Sequence, residues 1–113
     1  MIIPLQIETN DKSLANAILG SNRVSSGDTV AVPGGVSLEI KGATGGKSFD
    51  IPGVLQFVLH TSAQLELALF AKWLCDMLDS KGVERITIKR RVVTEITAEG
   101  IRQVLEEEIN SSR

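Results

Sequence analysis

The sequence predicts an α+β domain, a two-layer sandwich in which helices pack on a mainly antiparallel sheet. Three observations support this class: short segments of alternating apolar and polar residues between glycine-rich turns, one long apolar stretch, and a helical pattern near the end of the chain. The length of 113 residues is typical of one domain. We therefore expect residues 1–113 to form a single domain.

The first half of the chain predicts four strands and one short helix. Apolar residues dominate from Ile2 to Ile7, and polar Thr9–Asp11 can cap a helix that Gly20 ends. Glycine-rich turns separate three alternating segments, which indicate an antiparallel meander over 28–51. The predicted strands lie near 2–7, 29–32, 36–41 and 48–51, and the predicted helix covers 11–19.

The long apolar stretch predicts a central helix over about 53–80. Polar residues recur at intervals of four, except at Ala68 and in a last step of three, as on one stripe of a helix (Gln56, His60, Gln64, Lys72, Asp76 and Asp79). Such a helix would span roughly 42 Å, more than the ~35 Å diameter of a compact domain of this size. We therefore expect a break near 60–62 or a projecting helix covered by another chain. Periodicity leaves open whether 52–61 is helix or strand.

The last third predicts a strand and a closing helix. Ile86 and Ile88 alternate with polar residues, which indicates a strand over 85–93 that either continues or turns near Arg90 and Arg91. Thr97 is a suitable N-cap for a helix over 98–109, which has apolar residues on one face.

Composition limits the classes of function. The net charge of −2 and the pI near 5.4 argue against general attraction to nucleic acid or anionic membranes. One cysteine excludes an intrachain disulfide, and the first residues lack the pattern of a signal peptide, so a cytoplasmic location is expected. Charged Glu66, Lys72 and Asp76 argue against a membrane-spanning helix.

The sequence predicts no catalytic, cofactor or metal site, and hence no enzyme. Residues 41–48 resemble a phosphate-binding loop, but the glycine spacing is one residue short and an extended segment follows. His60 has no acidic, histidine or cysteine residue at metal-ligand spacing. Cys75 has no cationic neighbour that would favour a reactive thiolate.

Two groups of residues are candidates for binding a partner. Phe70, Trp73 and Met77 share one helical face, which either packs on the sheet, the favoured interpretation, or binds a protein. Lys89, Arg90 and Arg91 form a basic run. Their charges either protect an edge strand, again the favoured interpretation, or bind an acidic protein or a phosphate backbone.

The second half of the chain resembles a group of small bacterial α+β proteins and modules. The similarity comprises Trp73-Leu-Cys-Asp-x-Leu78, the strand residues Ile86-x-Ile88 and the helix Ile101–Ile109. In that group an aromatic residue is expected at position 75 and a lysine at position 77. Its members are mostly uncharacterised, and some belong to defence or conflict loci. The resemblance implies an adaptor or inhibitor that acts through protein–protein contacts, with no catalytic residues.

The sequence thus leads to a non-catalytic protein–protein interaction module. We expect a component of a bacterial or phage conflict system, either an immunity protein, a defence adaptor or an anti-defence inhibitor. Its partner would be another protein or a second copy of itself, with no membrane and no cofactor. The alternative is a nucleic-acid-binding accessory domain that uses the basic run from Lys89 to Arg91.

Overall fold

The computed structural model describes residues 2–11, 13–44, 53–79 and 82–111. Within these ranges the chain forms six strands and three helices, which confirms the α+β class. In chain order they are β1 (Ile2–Thr9), α1 (Leu14–Leu19), β2 (Thr29–Val32), β3 (Val36–Thr44), β4 (Gly53–Thr61), α2 (Leu67–Leu78), β5 (Val83–Ile88), β6 (Arg91–Val92) and α3 (Ala98–Ser111).

The six strands form one antiparallel sheet in the order β2-β3-β4-β1-β5-β6. Strands β4 and β1 lie at its centre, where Gln6 is opposite Gln56. The register shifts between Ile40 and Gly42 of β3, where an irregularity in the pairing with β4 occurs. The edges of the sheet are β2 and β6.

Alternation along the strands separates a buried sheet face from an open one. Leu5, Leu38, Phe57 and Ile86 lie on the buried face, each at most 2% exposed. They form one cluster with apolar side chains of all three helices, including Ile18 of α1. The helices therefore cover one face of the sheet, and the Cα radius of gyration of 13.2 Å fits a compact domain of this length.

The predicted central helix over about 53–80 is broken after Thr61, at the break expected near 60–62, and its first half is a strand, the alternative that periodicity left open. Residues 53–61 form β4, with Leu55, Phe57 and Leu59 buried and the residues between them facing the other side. The helix α2 begins only at Leu67 and does not project from the domain. A polar residue at every fourth position fits both periods, since four is twice the strand repeat of two and close to the helical turn of 3.6. The spacing from Gln56 to Gln64 therefore could not distinguish strand from helix.

The other predicted elements need smaller corrections. Helix α1 begins at Leu14 rather than at residue 11, and α3 continues two residues past 109. The predicted strand over 85–93 is divided into β5 and β6 by a turn at Lys89 and Arg90, and Lys89 has a positive φ of 59°. The predicted strand near 48–51 lies outside the described residues.

The turn between β2 and β3 positions the start of α2. The Glu66 N–H donates to the Gly34 carbonyl at 2.8 Å, and the Ser62 N–H donates to the Gly35 carbonyl at 3.0 Å. A Cβ on Gly34 would lie 2.8 Å from the Cβ of Phe70, so the absence of a side chain permits this close approach. The β2–β3 hairpin and α2 are therefore fixed to each other through backbone groups.

Candidate interaction site

The outer edge of β2 carries backbone groups that no other part of the described chain uses. The Ile40 N–H donates to the Asp28 carbonyl at 2.9 Å, and Val30 lies opposite Leu38. Antiparallel pairing alternates between residues that face the neighbouring strand and residues that face away from it. Thr29 and Ala31 therefore direct their N–H and C=O groups outward. Across 2–11, 13–44, 53–79 and 82–111, no hydrogen bond to these four groups is found.

The residues of this edge are uncharged and suited to strands. Thr29 and Ala31 are exposed, Val30 is half-buried and Val32 is buried. Natural edge strands are commonly protected by charged side chains, bulges or a covering element. Between Thr29 and Val32 the strand β2 has none of these, whereas the charged Asp28 precedes it, Gly27 and Asp28 both bond to Ile40 as in a β-bulge, and Pro33 ends it. An additional strand at this edge would pair with the outward N–H and C=O groups of Thr29 and Ala31.

The opposite edge of the sheet is protected. Strand β6 has only two residues, and one of them is the charged Arg91. The Arg91 guanidinium contacts Glu107 and places its Nε 2.7 Å from the Glu108 carboxylate on α3. A groove of about 580 Å³ remains between β6 and α3, with Glu95 and Glu99 among its lining residues. The shortness of β6, its charge and its neighbouring helix together disfavour strand addition at this edge.

The predicted basic run, from Lys89 to Arg91, takes part in these ion pairs. Lys89 Nζ lies 3.8 Å from the carboxylate of the buried Glu108. Arg91 contacts both Glu107 and Glu108. Arg90, on the turn between the strands, is exposed. The structure thus brings two of the three basic residues, Lys89 and Arg91, together with carboxylates of α3.

The predicted apolar patch on α2 is divided between core and surface. Phe70 is fully buried, so it is not accessible to a partner in the folded chain. Trp73 and Met77 are half-buried and pack against the core, and the Trp73 ring centroid lies 6.0 Å from that of Phe70. The favoured interpretation, a face that packs on the sheet, describes Phe70 directly, with Trp73 and Met77 at its margin.

A polar cluster that the sequence did not predict lies on the open face of the sheet. The Glu39 carboxylate lies 2.9 Å from Lys41 Nζ and 2.9 Å from His60 Nε2. Hydrogen bonding to Lys41, and secondly to His60, holds the pKa of Glu39 below its ordinary value. Alternation in β3 places Glu39 and Lys41 on one face, but their contact with His60 required the strand assignment of β4.

The cluster does not form a recognisable metal centre. In the described ranges, no group of three or more His, Cys, Asp or Glu side chains could hold a metal ion. Cys75 lines a separate groove of about 330 Å³ with Leu78, Val83 and Ile96. Lys41 of the phosphate-loop-like segment belongs to β3, as predicted, and β3 continues to Thr44, beyond which residues 45–52 lie outside the described residues.

Comparisons with known proteins add no family to these observations. The chain matches no protein-family model, no curated protein and no solved structure. Among the described helices, none has the length and the apolar character needed to cross a membrane.

Proposed function

We propose that this protein is a non-catalytic interaction module that binds a protein partner by strand addition to β2. The observation that supports this proposal is the difference between the two sheet edges. One edge is short, charged and adjacent to a helix, whereas the other presents outward N–H and C=O groups on uncharged residues. In strand addition, backbone hydrogen bonds supply affinity, and alternate side chains supply specificity.

The rigid support of β2 favours this role. Its hairpin with β3 is joined through Gly34 and Gly35 to the loop before α2, so the edge is fixed relative to the core. An ordered strand loses little conformational entropy when it binds, which increases the affinity available from few contacts.

The partner's origin is proposed from the resemblance alone. The partner would belong to a bacterial or phage conflict system. In that system this chain would be an immunity protein, a defence adaptor or an anti-defence inhibitor in the cytoplasm. The nucleic-acid alternative has less support, because Lys89 and Arg91 would have to exchange the carboxylates of Glu107 and Glu108 for phosphates.

Affinity capture from bacterial lysate tests the proposal when two variants of Ala31 accompany the wild-type protein. Ala31→Pro removes the outward N–H, whereas Ala31→Ser retains it in a residue of similar size. We expect the wild-type protein and Ala31→Ser to retain the same protein partner and Ala31→Pro to lose it. Equal capture by all three would show that the partner binds elsewhere.

A further inference from the structure

We propose that the strand added to β2 is β2 of a second copy of this chain, which gives a two-fold symmetric dimer. This inference rests on the proposed function and names the partner of that same edge. The two sheets would join into one continuous sheet, with the six strands of each copy on either side of the axis. The contact would be isologous, since the same surface is used by both copies.

The directions of the backbone groups select one register. Thr29 and Ala31 face outward, so a symmetric antiparallel pairing places Thr29 opposite Ala31 of the second copy, and the reverse. This register forms four N–H···O=C bonds and puts the two Val30 residues opposite each other on the axis. A shift by one residue would place the outward backbone groups of one copy opposite residues of the other copy whose backbone groups face β3.

Shifts by two residues are less favourable for reasons visible in the structure. One shift would place Gly27 opposite Ala31, but the Gly27 N–H already donates to the Ile40 carbonyl at 2.7 Å. The other would place Pro33 opposite Thr29, and proline has no N–H to donate. The register centred on Val30 is therefore the one in which all outward groups find partners.

The side chains of the pairing strands are compatible with this register. Thr29 and Ala31 are small and lie together on the open face, and the half-buried Val30 extends the apolar core toward its symmetry mate. The nearest acidic side chains on that face belong to Glu39, which Lys41 and His60 already contact. Three strand spacings separate the Glu39 residues of the two copies by about 14 Å or more, beyond the ~8 Å screening length.

A second copy is the occupant favoured by the number of open edges. Because one edge of the six described strands is open and the other is protected, pairing of two β2 strands leaves no open edge among them and stops at a dimer. Since β2 has only four residues, we expect the interface to be smaller than the roughly 1,000 Å² typical of a stable complex. We therefore expect a weak dimer that dissociates on dilution.

Sedimentation analysis over a wide range of protein concentration tests the stoichiometry. The wild-type protein and Ala31→Ser should change from monomer to dimer as concentration rises, with similar dissociation constants. Ala31→Pro should remain monomeric with an unchanged circular dichroism spectrum, because the Ala31 N–H takes no part in the β2–β3 ladder. A wild-type protein that is monomeric throughout, or an Ala31→Pro protein that dimerises equally well, would overturn the inference.

Cysteine cross-linking tests the register without relying on the proline variant. In a Cys75→Ser background, Val30→Cys should form an intermolecular disulfide, since opposed residues of this type have Cα atoms about 4.5 Å apart. Ala31→Cys is the matched control, because its symmetry mate lies two residues out of register, roughly 8 Å away. Equal cross-linking of both variants, or of neither, would contradict the proposed register.

These results separate the dimer from the broader function. A monomeric chain that still captures a protein through Ala31 would refute self-pairing and leave strand addition intact. If the chain does not dimerise and Ala31→Pro captures the partner as well as the wild-type protein does, both self-pairing and strand addition at β2 are refuted.

Discussion

Gly34 and Gly27 have nearly the same backbone conformation but different surroundings. Their φ angles are 95° and 96°, a region that residues with a side chain rarely adopt. A Cβ on Gly34 would lie 2.7 Å from the Glu66 carbonyl oxygen and 2.8 Å from the Phe70 N, whereas one on Gly27 would meet nothing within 4 Å. Comparing substitutions at the two glycines therefore separates the cost of an unfavourable φ from the cost of steric overlap.

We predict that Gly34→Ala is more destabilising than Gly27→Ala. Both variants should lose about 1–2 kcal/mol through the unfavourable φ, and Gly34→Ala should lose roughly 1–3 kcal/mol more through overpacking against α2. Urea denaturation of the two variants and the wild-type protein measures the difference. Equal losses would show that the β2–β3 turn does not support α2 as described.

Glu39 should give the stability of the protein a pH dependence. Since the pKa of Glu39 is lowered in the folded state, first by Lys41 and then by His60, its contribution is present above the ordinary value of 4.5 and is lost as the pH falls through the lower folded value. Wild-type protein should therefore exceed Glu39→Gln in stability at pH 6, and the difference should shrink below about pH 4.5. Thermal unfolding of the wild-type protein and Glu39→Gln across that pH range measures this difference. A stability difference that stayed constant with pH would contradict the prediction.

The sequence indicated part of the chemistry at individual residues. The pair Gly34 and Gly35 marked a turn, and Thr97 marked a helix start, where its Oγ1 accepts from the Gly100 N–H at 3.0 Å. The contact of His60 with Glu39 joins residues 21 positions apart. It depends on a strand register that the local pattern around His60 does not contain.

Among the elements, α3 and β6 form a unit held by carboxylates of different burial. Glu107 and Glu108 are adjacent and both contact Arg91, but their side chains are 59% and 8% exposed. A surface ion pair contributes little because water and salt screen it, whereas loss of a buried carboxylate leaves its partner groups without compensation.

We predict that Glu108→Ala destabilises the domain by about 1–3 kcal/mol, whereas Glu107→Ala changes the free energy of unfolding by less than about 1 kcal/mol. The second variant is the matched control, since it removes the same functional group one position earlier. Chemical denaturation provides the comparison. Similar losses would indicate that burial does not determine the importance of this contact.

The elements also show where sequence patterns reach their limit. Strands β1, β2 and β3 were predicted near their observed positions, because turns and alternation agree there. The segment of β4 falls within the predicted central helix, with a strand as the open alternative, because the polar spacing fits both periods. The residue types did favour a strand, since Val54, Phe57 and Val58 are β-branched or aromatic.

For the whole molecule, the order of strands decides the function that we propose. The segment from Thr29 to Val32 was predicted as a strand, but its position at an edge depends on β4 pairing with both β3 and β1. Those pairings join distant parts of the chain. The candidate residues of the sequence, from Phe70 to Arg91, lie instead on a helix face that packs against the core and at the opposite edge, where Arg91 pairs with α3.

The most direct test of the open edge is amide hydrogen exchange, measured residue by residue by NMR on dilute and concentrated protein. In dilute solution the Thr29 and Ala31 amides should exchange rapidly, while the Val30 amide, which faces β3, should be protected. At high concentration Thr29 and Ala31 should become protected as the edges pair, and Ala31→Ser should behave in the same way. Protection of Thr29 and Ala31 in dilute solution would show that the edge is already covered, and rapid exchange at every concentration would show that it does not self-pair.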